Sequence, residues 1–185
     1  MTKAQLTVLA GPTAVGKGTV VAALTKRFPT LNVSISATTR DPRPGELNGV
    51  HYYFVSAQEF DAMIERGDML EWALVHGKNK YGTPRGPVDE ALAAGKPVLL
   101  EIDLAGARQV RTTRPDAQFI FLAPPSWEEL ERRLIGRGTE SPEEQARRLT
   151  TARVELEAAS EFDHVVINDD VERAVDELAR LIGLE

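Results

Sequence analysis

Between residues 11 and 19 the chain reads Gly11, Pro12, Thr13, Ala14, Val15, Gly16, Lys17, Gly18, Thr19. Glycines at these positions let successive backbone N–H groups turn inward around phosphate oxygens, and Lys17 supplies a full positive charge at the outer phosphates. The expectation is a nucleoside triphosphate site. One position departs from the usual pattern: the Ser or Thr that normally follows the lysine is Gly18. A hydroxyl for Mg²⁺ must therefore come from Thr19, or the ion is reached through water held by carboxylates. The plain alternative is a glycine-rich turn with a surface lysine, but an apolar run, the glycines, the lysine and a helical pattern follow one another in the order a P-loop requires.

A P-loop does not say what is done with the nucleotide. Asp103, Leu104, Ala105, Gly106 has the D-x-x-G form of GTPase switches. Against a GTPase, Asn79, Lys80, Tyr81, Gly82 lacks the aspartate of a base-reading N-K-x-D motif, and Gly18 removes the magnesium hydroxyl. A transferase needs a second anion site. The segment from Ser36 to Glu46 offers one, with Arg40 and Arg43 on a proline-stiffened loop at a spacing suited to one phosphate; a solvated charged loop is the competing reading. Farther on, Arg133 and Arg137 are four apart and share a helix face, although Glu129 and Arg133 form a favourable i,i+4 pair that also explains part of the pattern. The histidines, His51, His76 and His164, are scattered and suggest no metal site.

These groups must be positioned by the rest of 185 residues, 42% of them hydrophobic and 27% charged. That composition suits one domain with sub-lobes. A net charge of −6 argues against general binding to nucleic acid or anionic lipid. The lack of cysteine excludes disulfides, zinc–thiolate sites and cysteine nucleophiles, and with no export signal expected at the N-terminus it suggests the cytoplasm.

Apolar runs at Leu6 to Ala10, Pro97 to Ile102, Gln118 to Leu122 and His164 to Ile167 read as strands buried on both faces of a parallel sheet. Helices are expected from Thr19 to Phe28 and from Val88 to Ala94. Others open with capping-box patterns at Ser126 to Glu129 and at Ser141 to Glu144, and a final amphipathic helix presents Val171, Ala174, Val175, Leu178 and Leu181. The fold class is α/β, a P-loop sheet flanked by helices. Its core spans 1–32, 88–126 and 154–185, with an inserted mixed lobe at 33–87 and a helical lid at 127–153.

Together the motifs resemble guanylate kinase. They are the P-loop ending G-K-G-T, S-x-T-T-R-x-x-R-x-G-E, the run Asn48 to Phe54, Glu71 with Trp72, Tyr81-Gly82-Thr83, Asp103-x-x-Gly106 and Arg133-x-x-x-Arg137-Gly-Thr-Glu, in that family's order over nearly the whole chain. The resemblance implies ATP plus GMP giving ADP plus GDP, with Mg²⁺. It implies that Arg40, Arg43, Tyr52 and Tyr81 hold the GMP phosphate and that Ser36, Glu71, Thr83 and Asp103 surround guanine. Lys17, Arg133, Arg137 and Arg148 would act on the ATP phosphates.

Asn168, with Asp169, would lie on the adenine side, or else cap the last helix. Glu101 would order water around Mg²⁺. The chemistry is sensible on its own terms: guanine's ring N–H and exocyclic amine stand side by side, and one carboxylate can accept both. Two other readings compete. A guanylate-kinase-like module that binds phosphopeptides would not need the intact P-loop, and no adaptor domains are expected here. A P-loop kinase for a sugar phosphate would have no use for Ser36, Glu71 and Thr83 together.

Overall fold

The computed structural model describes residues 3–136, 138 and 140–185. Its centre is a five-stranded, wholly parallel sheet of β1 (Leu6–Ala10), β2 (Asn32–Val33), β7 (Val98–Glu101), β8 (Gln118–Ala123) and β9 (His164–Ile167), in the order β2-β7-β1-β8-β9. The apolar runs become strands because both faces are covered. On one side α1 (Lys17–Arg27) and α7 (Val171–Ile182) pack Leu24, Leu178 and Ile182 against Leu9, Ile120 and Leu122. On the other, α3 (Arg85–Ala93) and α4 (Leu104–Thr113) pack Val88 and Val110 against Leu6, Val8, Leu100 and Phe119. β1 therefore has no exposed residue.

One strand departs from expectation. Among the described residues β9 pairs only with β8, and His164, Val165 and Ile167 are exposed while Val166 is buried. An apolar run marks a strand, but it does not say whether a neighbour lies beyond it.

A second, four-stranded sheet is built from β3 (Ala37–Thr38), β4 (Tyr53–Phe54), β5 (Met69–Val75) and β6 (Asn79–Pro84), in the order β4-β3-β6-β5. Helix α2 (Ala57–Glu65), capped by the Ser56 hydroxyl accepting from Glu59 N, buries Phe60 against Ala37 and Met69. β5 and β6 approach so closely that a Cβ on Gly82 would lie 2.7 Å from the Glu71 carbonyl oxygen, so only glycine fits there. This sheet is tied to the core by Gln109 of α4. Its carbonyl accepts from Trp72 N at 3.0 Å and its amide donates to Trp72 O at 2.9 Å.

Helices α5 (Trp127–Ile135) and α6 (Pro142–Glu157) pack through Leu130, Leu134 and Ala152, with Leu149 and Leu156 beside them. Ser141 forms the full capping box with Glu144. Ser126 does not: its hydroxyl accepts from Glu129 N, while the Glu129 carboxylate turns to Arg132 and Arg133. A nearby cation outcompetes the single backbone N–H. Helix α1 starts at Lys17, two residues before the expected Thr19, because Gly16 already serves as its N-cap. Among the described residues no helix is long and apolar enough to cross a membrane.

Candidate active site

The glycine loop leaves the C-terminal end of β1, between β7 and β8, and runs into α1. Ligands of open parallel sheets bind at such ends, where helix N-termini converge. Its shape depends on two glycines. A Cβ on Gly11 would stand 2.4 Å from the Leu122 carbonyl oxygen, and Gly16 adopts a left-handed φ of 97°. Ala14, with φ 68°, carries the same turn without being glycine and packs against the α5–α6 cluster.

Lys17 donates to the Gly11 carbonyl at 2.9 Å, closing the loop on itself. Burial pushes the Lys17 ammonium below its ordinary value, and the carboxylates of Glu155, Glu101 and Asp103 pull the other way. Glu155 lies on α6, half-buried, and its own carboxyl is raised by that burial, against the pull of Lys17. Nothing in the sequence singles it out. The available signal is that it stands three residues beyond Ala152, on the helix face that meets the P-loop.

Three segments meet on the outside of the loop. The Val15 carbonyl accepts from Asn168 Nδ2 at 2.8 Å and from Arg133 Nη1 at 3.1 Å. Arg133 Nε binds Glu129 at 3.1 Å, so the i,i+4 pair and the loop contact coexist on one guanidinium. Asn168 is buried and does not cap α7; that cap is Asp170, which accepts from Arg173 N. Arg148 pairs with Glu140 at 2.6 Å. Arg137 lies outside the described residues. A cleft of ≈ 360 Å³ opens between Thr13, the hairpin tip at His76 and α6, where Arg147, Arg148 and Thr151 line it.

Thr19 and Gly18 are exposed on the first turn of α1. The Glu101 carboxylate lies 3.9 Å from where a Gly18 Cβ would be. The missing side chain thus leaves open the path between this carboxylate and the loop.

Across the cleft, Glu71 is buried at the start of β5. Thr83 Oγ1 donates to its Oε1 at 2.7 Å from the paired position on β6. Burial, with Asp103 nearby, raises the Glu71 carboxyl above the ordinary carboxylate range, and the Thr83 hydroxyl partly offsets this. Asp103 caps α4, accepting from Gly106 N at 2.7 Å. A Cβ on Gly106 would come within 3.1 Å of both Asp103 Oδ1 and Glu71 Oε2. The D-x-x-G pattern therefore brings the two carboxylates together, with its glycine as the gap. Such a pair, one oxygen already receiving a hydroxyl, can accept neighbouring N–H donors from a ring. Ser36, on the segment that leads into β3, is half-buried and its carbonyl accepts from Tyr53 N at 2.9 Å.

Arg40 lies over the rings of Tyr52 and Phe54, 5.3 and 5.9 Å from their centroids, and Tyr52 meets Tyr81 edge-on at 6.0 Å. This brings together three of the four groups expected at one phosphate. The fourth, Arg43, is an exposed side chain on the same loop.

The family model described as Guanylate kinase matches residues 3–185. A curated guanylate kinase of Thermobifida fusca is 61% identical over 97% of this chain and 91% of its own length, and one of Cutibacterium acnes is 59% identical over 96% and 89%. The crystal structure of guanylate kinase from Anaplasma phagocytophilum superposes with a TM-score of 0.74 at 31% identity, covering 99% of this chain and 86% of that one. A shikimate kinase from Bacteroides thetaiotaomicron, with a TM-score of 0.51 at 14% identity, shares the fold alone. A glycine loop on a parallel sheet with a buried carboxylate across the cleft, matched nearly end to end in sequence and structure, places the chain in the guanylate kinase family of phosphotransferases.

Proposed function

We propose that the chain transfers the terminal phosphoryl group of ATP to GMP, giving ADP and GDP. The observation that carries this is the buried Glu71–Thr83 pair facing Asp103 beside an intact P-loop: a kinase for a phosphate without a purine has no need of such a site. Glu71 accepts guanine's ring N–H and amine, held in place by the Thr83 hydroxyl that donates to it, while Ser36 serves the carbonyl side and Asp103 completes the edge. Adenine presents its donors and acceptors the other way round and is refused. Arg40, Arg43, Tyr52 and Tyr81 hold the GMP phosphate.

The backbone N–H groups from Gly11 to Thr19 and the Lys17 ammonium gather the donor phosphates, with Asn168 on the adenine side. Because the acceptor is already anionic near neutral pH, no strong base is required, and positioning with charge neutralisation carries the reaction. Arg133, Arg137 and Arg148 offset charge on the group in transit. In this reading 33–87 is the GMP-binding lobe and 127–153 the lid.

The oxygen donors near the loop suit a hard divalent cation. Thr19 and Glu101 would hold Mg²⁺ through water, with Gly18 leaving room for that water, and the ion would neutralise phosphate charge. The lack of cysteine supports a cytoplasmic setting. A coupled assay of ADP formation with MgATP tests the reaction. GMP should support turnover and AMP, CMP and UMP little; no ADP above background with GMP defeats it.

A further inference from the structure

We infer that Glu46 is a positioning residue for Arg40, fixing which edge of the guanidinium is offered to the GMP phosphate; this rests on the proposed reaction. Arg43, Pro44, Gly45 and Glu46 form a tight turn in which Glu46 N donates to Arg43 O at 3.0 Å and Gly45 takes a φ of 86°. Proline at the second position and a left-handed glycine at the third are what a type II turn requires. The turn returns the Glu46 carboxylate to its own loop. Oε2 accepts from Arg43 N at 2.8 Å and from Arg40 Nη1 at 3.0 Å, and Oε1 accepts from Arg40 Nη2 at 3.0 Å.

A guanidinium has five N–H donors in one plane. Glu46 takes two of them end-on, and the Asp41 carbonyl takes the other Nη1 proton at 2.9 Å. The Nε proton and the second Nη2 proton, which lie side by side, are taken by neither Glu46 nor Asp41, and the Tyr81 hydroxyl stands close to the guanidinium. That edge is the bidentate seat for a phosphate oxygen pair. The Tyr52 ring lies against the guanidinium, its centroid 5.3 Å from the Arg40 Cζ. The pair is well sheltered, at 14% exposure for Arg40 and 19% for Glu46. Its two hydrogen-bond partners, Arg40 and then Arg43 N, hold the Glu46 carboxyl down at about 2, so its charge is present throughout the working range.

A carboxylate so close to a phosphate seat would repel the ligand if it shared the seat. It stands instead behind the guanidinium, where it keeps Arg40 oriented.

The test uses the whole chain, with GMP and guanosine binding measured by calorimetry and kinetics run with MgATP. In Glu46→Gln, GMP should bind about 10- to 100-fold more weakly, as for loss of a charge-assisted hydrogen bond. Guanosine affinity and the KM for ATP should stay within about twofold, since neither ligand uses Arg40. In an Arg40→Met background the same substitution should cost less than about threefold, because the group it positions is gone.

Equal loss of GMP and guanosine would mean a collapsed lobe and would overturn the inference. So would tighter GMP binding in Glu46→Gln, or an undiminished loss in the Arg40→Met background. An unsubstituted chain with no affinity for GMP would overturn the reaction itself, and is recognised before any variant is made.

Discussion

Replacing Thr83 with Val removes one hydroxyl proton from a buried site. Thr83 is fully buried and Glu71 is 9% exposed, so the carboxylate oxygen at 2.7 Å cannot turn to solvent when its donor is lost. A hydrogen bond to a charged acceptor contributes about 1.5–3 kcal/mol, and leaving the acceptor unmet brings the loss to the upper part of that range. The effect depends on pH with a sign that follows from burial.

Glu71 binds its proton more tightly folded than unfolded, so its contribution to stability is greatest at low pH and is lost as pH rises through the raised folded value. Removing the Thr83 hydroxyl, which favours the charged form, raises that value further. The difference between Thr83→Val and the unsubstituted chain should therefore open as pH rises and narrow as the carboxyl protonates. Urea denaturation of the ligand-free protein at about pH 8 and about pH 4 would measure it, spanning the carboxylate range. Thr83→Ser, which keeps the hydroxyl, should stay close to the unsubstituted chain. A loss that is the same at both pH values, or below about 0.5 kcal/mol at the higher one, would refute the claim that this hydroxyl supports a buried carboxylate.

Lys17→Met should reduce turnover by at least about a hundredfold, while its melting temperature is not lowered, since the buried ammonium is already disfavoured by desolvation. Near-normal turnover would mean that this loop does not hold the donor phosphates. Glu71→Gln leaves an amide facing guanine's paired donors and should lose about 2–4 kcal/mol in kcat/KM for GMP without making AMP a good substrate; unchanged GMP kinetics would place Glu71 outside the pocket. Asn168→Ala removes one of the two donors on the Val15 carbonyl and should raise the KM for ATP about fivefold, a cost near 1 kcal/mol, with the KM for GMP the control that must not move.

The parts of the fold that the sequence discloses are those governed by local rules. The strand at Leu6 to Ala10, the cap at Ser141 and the glycine loop follow from an apolar run, a short hydroxyl side chain and backbone freedom, all within a few residues. The exposed edge at β9 was not legible, because an apolar run does not reveal its neighbours. Nor was the division of labour around Val15: whether Asn168 caps a helix or braces a loop depends on a contact across 153 residues. Glu155 and Gln109 carry no local signal for the same reason. Their importance comes from what α6 and α4 happen to face, whereas Glu46 was in plain view inside a recognisable Pro-Gly turn and lacked only a partner.

The order β2-β7-β1-β8-β9 has a consequence for synthesis. The strand that carries the glycine loop is made first, yet it lies in the middle, and its neighbours arrive only with residues 98–101 and 118–123. The brace on Val15 comes later still, from Asn168, when nine-tenths of the chain has left the ribosome. Before β7 and β8 are in place the loop has no walls, and a triphosphate cannot guide the first half of the chain towards its fold. Nucleotide can stabilise only a core whose three central strands are already assembled, and Asn168 tightens that grip afterwards.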